Sequence, residues 1–308
     1  MVFLNDPPRT RRGHPDWTIE GQDWPHRNIS KFVQTGGQTW HLQRMGSGPQ
    51  ALLLHGTGAS THSWADLLPR LAETFDTLAI DLPGHGFTQM RPGFVPSLPN
   101  VTDAVGQLLS EIDVQPDIII GHSAGAAIAL CLGERLQPAP ERIVSLNGAL
   151  HPFDGAMGII APLTAKLVTI GGLAARALAS SARDIGRVER LLYDTGSMPP
   201  QAYIAHYATL LRCRGHVQGT LEMMANWNLG PMETICAGLA MPILFVAGSK
   251  DSTVPPDAAR SMADIAPEGR FLCLDRVGHL AHEEAPQRIA DVILDNDTWD
   301  NAPLRSAD

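Results

Sequence analysis

Cysteine is scarce in this 308-residue chain, with four residues at Cys131, Cys213, Cys236 and Cys273. None stands in a Cys-x-x-Cys pair, which argues against a zinc ribbon or a disulfide framework. Cys131 and Cys273 lie within apolar runs and read as small core residues. Basic residues are outnumbered, 23 against 32, for a net charge of −9. Without a basic stripe there is no electrostatic footprint for nucleic acid; Arg9, Arg11 and Arg12 read as a solvated tail. No clean membrane span is present. The nearest stretch, Ala156 to Ala175, is broken by Pro162, Lys166 and the Gly171-Gly172 pair, short of the roughly 20 apolar residues a span needs. It reads as a buried or lid helix pair and leaves contact with a membrane surface open. The first 30 residues lack an apolar h-region. Together with thiols expected to be reduced, that places the protein in the cytoplasm.

Two motif absences matter equally. No Gly-x-x-x-x-Gly-Lys-[Ser/Thr] loop occurs, which excludes a P-loop ATPase motor. His279-x-x-His282-Glu283 matches neither His-Glu-x-x-His nor its inverse, so no metal is expected, and no cofactor. A strand–Gly56-Thr57-Gly58-Ala59-Ser60-Thr61–helix–strand–Asp81 run mimics a dinucleotide fold, but Thr61 stands where the fingerprint needs its third glycine.

What is present is a globular composition, 44% hydrophobic and 18% charged. Mean hydropathy is −0.04. Residues 1–28 read as an arm that packs on a domain. Gly36-Gly37 marks a hairpin between short runs from Ile29 to Met45. Strand-like runs at Ala51–Leu54, Thr77–Ile80, Asp117–Ile120 and Arg142–Leu146 then alternate with helical patterns at Ser63–Ala72, Val101–Ile112 and Ala124–Leu136. That rhythm predicts a parallel sheet flanked by helices. From 151 to 238 no strand signal appears. Alternation resumes with strands at Pro242–Ala247 and Phe271–Leu274 and helices at Pro256–Ile265 and Ala285–Leu294. The expected organisation is an α/β core over 29–150 and 239–308, with a helical cap over 151–238 inserted before the acid-bearing strand.

The chemistry-bearing element is Gly121-His122-Ser123-Ala124-Gly125, a Gly-x-Ser-x-Gly between a strand and a helix. Its glycines permit a sharp turn that presents the Ser123 hydroxyl at the strand's C-terminal end. A serine hydroxyl is a weak nucleophile and needs a base oriented by an acid. Asp251 follows the next-to-last strand and His279 the last, in the hydrolase order Ser–Asp–His. Parallel strands share one C-terminal edge, so all three are expected to meet there. Asp154 rivals Asp251 as the acid, and His282 rivals His279 as the base. The backbone amides of Thr57 and Ala124 are the expected oxyanion donors, with Gly58 second to Thr57. Gly56, Gly58, His122, Ile159 and Leu163 are the candidate substrate-pocket residues, although His122 could equally pack against the sheet.

These pieces resemble the α/β-hydrolase family over nearly the whole chain. The match includes His55-Gly56 after an early strand, Asp81-Leu82-Pro83-Gly84-His85-Gly86, the serine turn, Asp251, and the run from His279 to Glu284 and Pro286. The resemblance implies an esterase-like serine hydrolase and makes Asp81 a structural or pocket-edge residue. More narrowly, Asp23-Trp24-Pro25-His26-Arg27, Gly36-Gly37-Gln38-Thr39-Trp40-His41 and the run from His55 to Trp64 are similar to the BchO group of bacteriochlorophyll gene clusters, often labelled magnesium-chelatase accessory proteins. That likeness implies an apolar, tetrapyrrole-linked ligand, either hydrolysed or merely bound. It leaves open a contact with magnesium chelatase and a place beside the photosynthetic membrane.

Overall fold

The computed structural model describes residues 3–4, 13–152, 173–295 and 298–299. Asp154, Ile159 and Leu163 lie outside the described residues.

A nine-stranded sheet organises the chain, in the order β1-β2-β3-β5-β4-β6-β7-β8-β9. The first three strands, β1 (Phe3–Leu4), β2 (Ser30–Thr35) and β3 (Gln38–Met45), pair antiparallel. The β2–β3 hairpin turns at Gly36 and Gly37, both at positive φ (59° and 75°), where a side chain would be strained. The other six run parallel to one another: β4 (Gln50–Leu54), β5 (Asp76–Ile80), β6 (Ile118–His122), β7 (Arg142–Leu146), β8 (Ile243–Gly248) and β9 (Gly269–Leu274). Their C-terminal ends therefore open on one edge.

Strand periodicity divides the core into two layers. In β4, Leu52 and Leu54 join one apolar cluster, and Ala51 and Leu53 join the other. In β8, Ile243, Phe245 and Ala247 face the first, and Leu244 and Val246 the second. Successive side chains on a strand point to opposite faces, so a strand covered on both sides reads as a continuous apolar run. The first layer is closed by α2 (Leu98–Glu111) and α3 (Ala124–Arg135), the second by α1 (Leu67–Leu71). Each fully buried Leu or Ile contributes roughly 1.5–3 kcal/mol.

Between β7 and β8, the described residues form only helices: α4 (Leu173–Ser181), α5 (Ile185–Tyr193), α6 (Gln201–Arg212), α7 (Arg214–Asn226) and α8 (Met232–Gly238). Three more follow: α9 (Pro256–Ile265), α10 (Ala281–Glu284) and α11 (Pro286–Leu294).

Three local expectations are corrected. The single helix over Ser63–Ala72 is a tight turn, Thr61–Trp64, followed by the short α1. The Asp66 amide, which a continuous helix would use, instead donates to the Tyr203 hydroxyl at 3.1 Å. Helix α2 begins earlier than expected, because Ser97 caps it and Pro99 is tolerated in its first turn. Cys273 is exposed rather than a core residue; it lies on β9, the edge strand of the sheet. The leading arm includes a two-residue strand, β1, paired to β2. The described part of the arm also buries Trp17 and Trp24 against Phe32, Phe87 and Leu210. Trp17 meets Phe87 edge-on at 4.8 Å, and the Trp24 indole donates to Thr61 Oγ1 at 3.2 Å.

Candidate active site

Ser123 is the last residue before α3, with φ 51° and ψ −114°. Only the turn makes that left-handed conformation necessary; for a residue with a Cβ it stores strain of order 1–3 kcal/mol. The surrounding glycines show why they are glycines. A Cβ on Gly125 would run into the carbonyl oxygen of Leu54, and one on Gly121 into that of Gly125. The Ser123 amide donates to Leu146 C=O at 3.0 Å, and its carbonyl accepts from Ala126 and Ala149, both at 3.1 Å. The strain is held in place by these backbone bonds.

The loop after β4 lies directly against this turn. A Cβ on Gly56 would stand 2.9 Å from Ser123 Cβ and 2.8 Å from His122 Nδ1. Buried His55 fastens the loop. Its Nε2 accepts from the Leu82 amide at 2.9 Å, so the proton sits on Nδ1, which donates to Gly56 C=O at 2.8 Å. Burial pushes the His55 pKa down, which keeps the imidazole neutral. Thr57 and Gly58 follow in the same loop. Ala124 is the first residue of α3, where the amide has no partner one turn back.

Asp251, after β8, and His279, after β9, meet on the same edge. His279 Nδ1 donates to Asp251 Oδ2 at 2.8 Å. The other donors to Asp251 are Asn147 Nδ2 at 2.8 Å on Oδ2, and the amides of Thr253 and Val254, each at 2.8 Å, on Oδ1. Four donors thus converge on a carboxylate whose side chain is fully buried.

The helical insertion reaches down onto both loops. Thr195 C=O accepts from the Ser252 amide at 3.2 Å and from the His279 amide at 3.4 Å. Ser197 Oγ accepts from the Leu280 amide at 2.8 Å. Gly196, at φ 80°, packs so closely against the Lys250 carbonyl that a Cβ would overlap it. Glu284 completes the clamp by accepting from Gly278 at 2.8 Å and from Met198 at 3.0 Å.

His122 is 2% exposed and lies inside the fold rather than on an open pocket wall. Its Nε2 donates to His279 C=O at 2.9 Å. Burial, followed by the neighbouring His282 and His279, holds its pKa well below the usual imidazole range. His282 is also engaged elsewhere. It is fully buried, its ring lies 4.6 Å from Trp64, and its Nε2 meets Ser63 Oγ at 2.7 Å. Burial pushes its pKa down to about 3. Ser63 Oγ also bonds Glu283, which accepts from Tyr207 of α6 at 2.8 Å.

Asp81 lies in the interior behind the loops. It accepts from Thr61 at 2.7 Å, Phe87 at 2.8 Å and His41 Nδ1 at 2.8 Å. Burial alone would raise its carboxyl pKa; the His41 imidazole, together with His55 and the Phe87 amide, outweighs that and brings it to about 2. These bonds make it a structural anchor.

The sequence reasoning did not find Asn147, the 194–198 segment, Ser63 or Tyr207. Asn147 had a readable signal, since it stands one residue past β7 at the edge where the other candidates gather. The others had none.

With this geometry in view, the likenesses to known proteins agree. The profile of the alpha/beta hydrolase family matches residues 51–292. The chain is 34% identical over 275 residues to the "Magnesium-chelatase 30 kDa subunit" of Rhodobacter capsulatus, covering 89% of this chain and 96% of that protein. It is 27% identical over 249 residues to the "Pimeloyl-[acyl-carrier protein] methyl ester esterase" of Neisseria meningitidis, covering 76% of this chain and 88% of that one. The crystal structure of an alpha/beta hydrolase fold protein from Burkholderia ambifaria superimposes with a TM-score of 0.72 at 21% identity, covering 86% of this chain and 97% of the other. The chain belongs to the alpha/beta hydrolase family and resembles its magnesium-chelatase-associated BchO group.

Proposed function

We propose that the chain is a serine hydrolase in which Ser123 attacks an ester-like carbonyl, His279 moves the proton and Asp251 orients His279. The observation that carries this reading is the buried 2.8 Å bond from His279 to Asp251, on the sheet edge where Ser123 stands on its strained turn. A carboxylate only accepts, so the His279 proton sits on Nδ1 and Nε2 is left as a bare base. Ser123 Oγ hands its proton to Nε2 as Oγ bonds the carbonyl carbon. The displaced electron pair rests on an oxyanion held by the Thr57 and Ala124 amides, near the positive end of α3. His279 then protonates the leaving alkoxide. Water, deprotonated by Nε2, releases the acid and restores Ser123.

On substrate, the name of the esterase relative supports a carboxylic ester and the name of the chelatase relative a link to magnesium chelatase; the substrate proposed is an ester of a large apolar molecule of tetrapyrrole synthesis. Residues 173–238 would cap the site, over a core of 29–150 and 239–308. We place its action in the cytoplasm, at or beside the photosynthetic membrane. The relative named as a chelatase subunit favours a second reading, a tetrapyrrole-binding accessory that contacts magnesium chelatase without turnover. Assays with porphyrin methyl esters and p-nitrophenyl acetate separate the two. Methanol or nitrophenol release by the wild type, lost in Ser123→Ala, is expected. Saturable porphyrin binding with no release of either product would favour the accessory.

A further inference from the structure

A series of hydrogen-bonded peptide groups crosses from the helical insertion to the loop that carries Thr57, and His216 of α7 is its middle link. The His216 imidazole is fully buried. Its Nδ1 accepts from the Gly86 amide at 3.0 Å, so the ring proton sits on Nε2, which donates to Gly58 C=O at 3.1 Å. Burial brings the His216 pKa down to about 4. The ring is therefore neutral, and a single tautomer satisfies both partners. The backbone of the insertion fixes this reach. Gly219, three residues along α7, lies so close to the Gly84 carbonyl that a Cβ would overlap it. The Gly215 amide donates to Gly13 C=O of the arm at 2.6 Å.

Beyond His216 the series runs through two peptide planes. Gly58 C=O shares a rigid plane with the Ala59 amide, and that amide donates to Gly56 C=O at 3.1 Å. Gly56 C=O in turn shares its plane with the Thr57 amide, the oxyanion donor of the hydrolase reading. Residues 56–59 thus close a β-turn whose positive φ falls at Gly58 alone, 80°, the signature of a type II turn with Thr57 at its second position. His55 Nδ1 adds a second donor to Gly56 C=O at 2.8 Å. On the other side of His216, the Gly86 amide shares its plane with His85 C=O, which accepts from the Thr88 amide at 3.0 Å. Every bond points the same way, from Thr88 to Thr57. In such a series each accepted bond polarises the N–H at the far end of its own peptide.

We infer that His216 is a positioning residue for the oxyanion site: from the insertion, it holds the 56–59 turn and orients the Thr57 amide toward the carbonyl oxygen of an ester at Ser123. This rests on the serine-hydrolase reading and deepens it, because it gives the insertion a part in stabilising the transition state. No proton leaves the imidazole, which acts by position and polarity alone. Without its donor, Gly58 C=O loses its hold on the helix, and the two peptide planes that end at Thr57 are free to tilt. Removing an oxyanion donor outright costs on the order of 10²–10³ in kcat. Disorienting one that is still present should cost less, about tenfold.

The test compares full-length His216→Phe, which keeps a ring but neither hydrogen bond, with His216→Gln, whose amide can serve both partners. Three probes are read: p-nitrophenyl acetate for turnover; 1,1,1-trifluorododecan-2-one, whose carbonyl carbon takes up Ser123 Oγ and leaves an oxyanion; and dodecan-2-one, which binds without forming one. His216→Phe is expected to lower kcat about tenfold with KM within about twofold. It should weaken the trifluoroketone about tenfold and leave dodecan-2-one unchanged, and His216→Gln should restore most of the loss. Thr57→Pro removes the amide at a turn position that favours proline. In that background His216→Phe should change kcat by less than about twofold, because the group it orients is gone. Should His216→Phe not fold, His216→Asn, too short to span both partners, is read in the same way. Wild-type kcat in these variants, equal weakening of both ketones, no rescue by glutamine, or costs that multiply in the Thr57→Pro background overturns the inference and leaves the hydrolase reading standing. A wild type that releases no nitrophenol and binds the trifluoroketone no more tightly than dodecan-2-one overturns the hydrolase reading, and this inference with it.

Discussion

Asn147 and His279 donate to the same oxygen of Asp251, each at 2.8 Å. Asn147 also donates to Gly278 C=O at 3.2 Å, so one amide ties Asp251 to the residue before His279. Asn147→Ala should therefore lower kcat for ester hydrolysis by about tenfold with a smaller change in KM, as expected of a group that orients the acid rather than binding substrate. Wild-type kcat in that variant would contradict the assignment.

Replacing the acid itself should cost far more. Asp251→Asn removes the acceptor that fixes His279 with its proton on Nδ1, and loss of that tautomer in a triad costs on the order of 10⁴ in rate. Asp154→Asn, tested alongside, should leave the rate within a few-fold of wild type. The opposite ranking in folded proteins would move the acid to Asp154.

The strained turn makes a prediction about stability. Ser123 sits at φ 51°, a conformation glycine adopts at little cost. Ser123→Gly should be more stable to urea than Ser123→Ala by about 1 kcal/mol, with both inactive. Equal midpoints would mean that the turn carries no strain.

Glu283 should leave a mark on the pH dependence of stability. Burial raises its carboxyl to about 8, against the stabilising pull of Ser63 and Tyr207. Between the ordinary glutamate range near 4.5 and about 8, the native chain holds a proton that the unfolded chain has lost. Its contribution is therefore fully present at low pH and declines as pH rises through that window, by at most ~1.4 kcal/mol per pH unit. Glu283→Gln keeps an oxygen for Ser63 and Tyr207 but cannot ionise. Relative to wild type, the variant should gain stability progressively from pH 5 to 8, read from urea midpoints at each pH. A constant difference across that range would show that Glu283 does not titrate there.

Much of the site is legible in the sequence for a physical reason. Parallel strands covered on both faces appear as apolar runs, so their ends are visible, and Ser123, Asp251 and His279 each stand just beyond one. The clamp around them is not legible. Ser63 meets Glu283 across 220 residues of chain and Asn147 meets Asp251 across 104, and a buried polar side chain in a loop leaves no periodic trace. The segment from Thr195 to Met198 looks like an ordinary link between α5 and α6, yet the Thr195 carbonyl and Ser197 hold the loops that carry Asp251 and His279. His122 illustrates the same limit. Its place beside Ser123 suggests a pocket wall, and only the three-dimensional packing turns it inward to His279 C=O.

The central claim is that Ser123 is a nucleophile driven by His279. Intact-protein mass spectrometry after brief exposure to a fluorophosphonate tests it most directly. The account predicts a single adduct on Ser123 in the wild type, none in Ser123→Ala, and labelling slowed by at least a hundredfold in His279→Gln. An unlabelled wild-type protein, or an adduct that persists in Ser123→Ala, would contradict it.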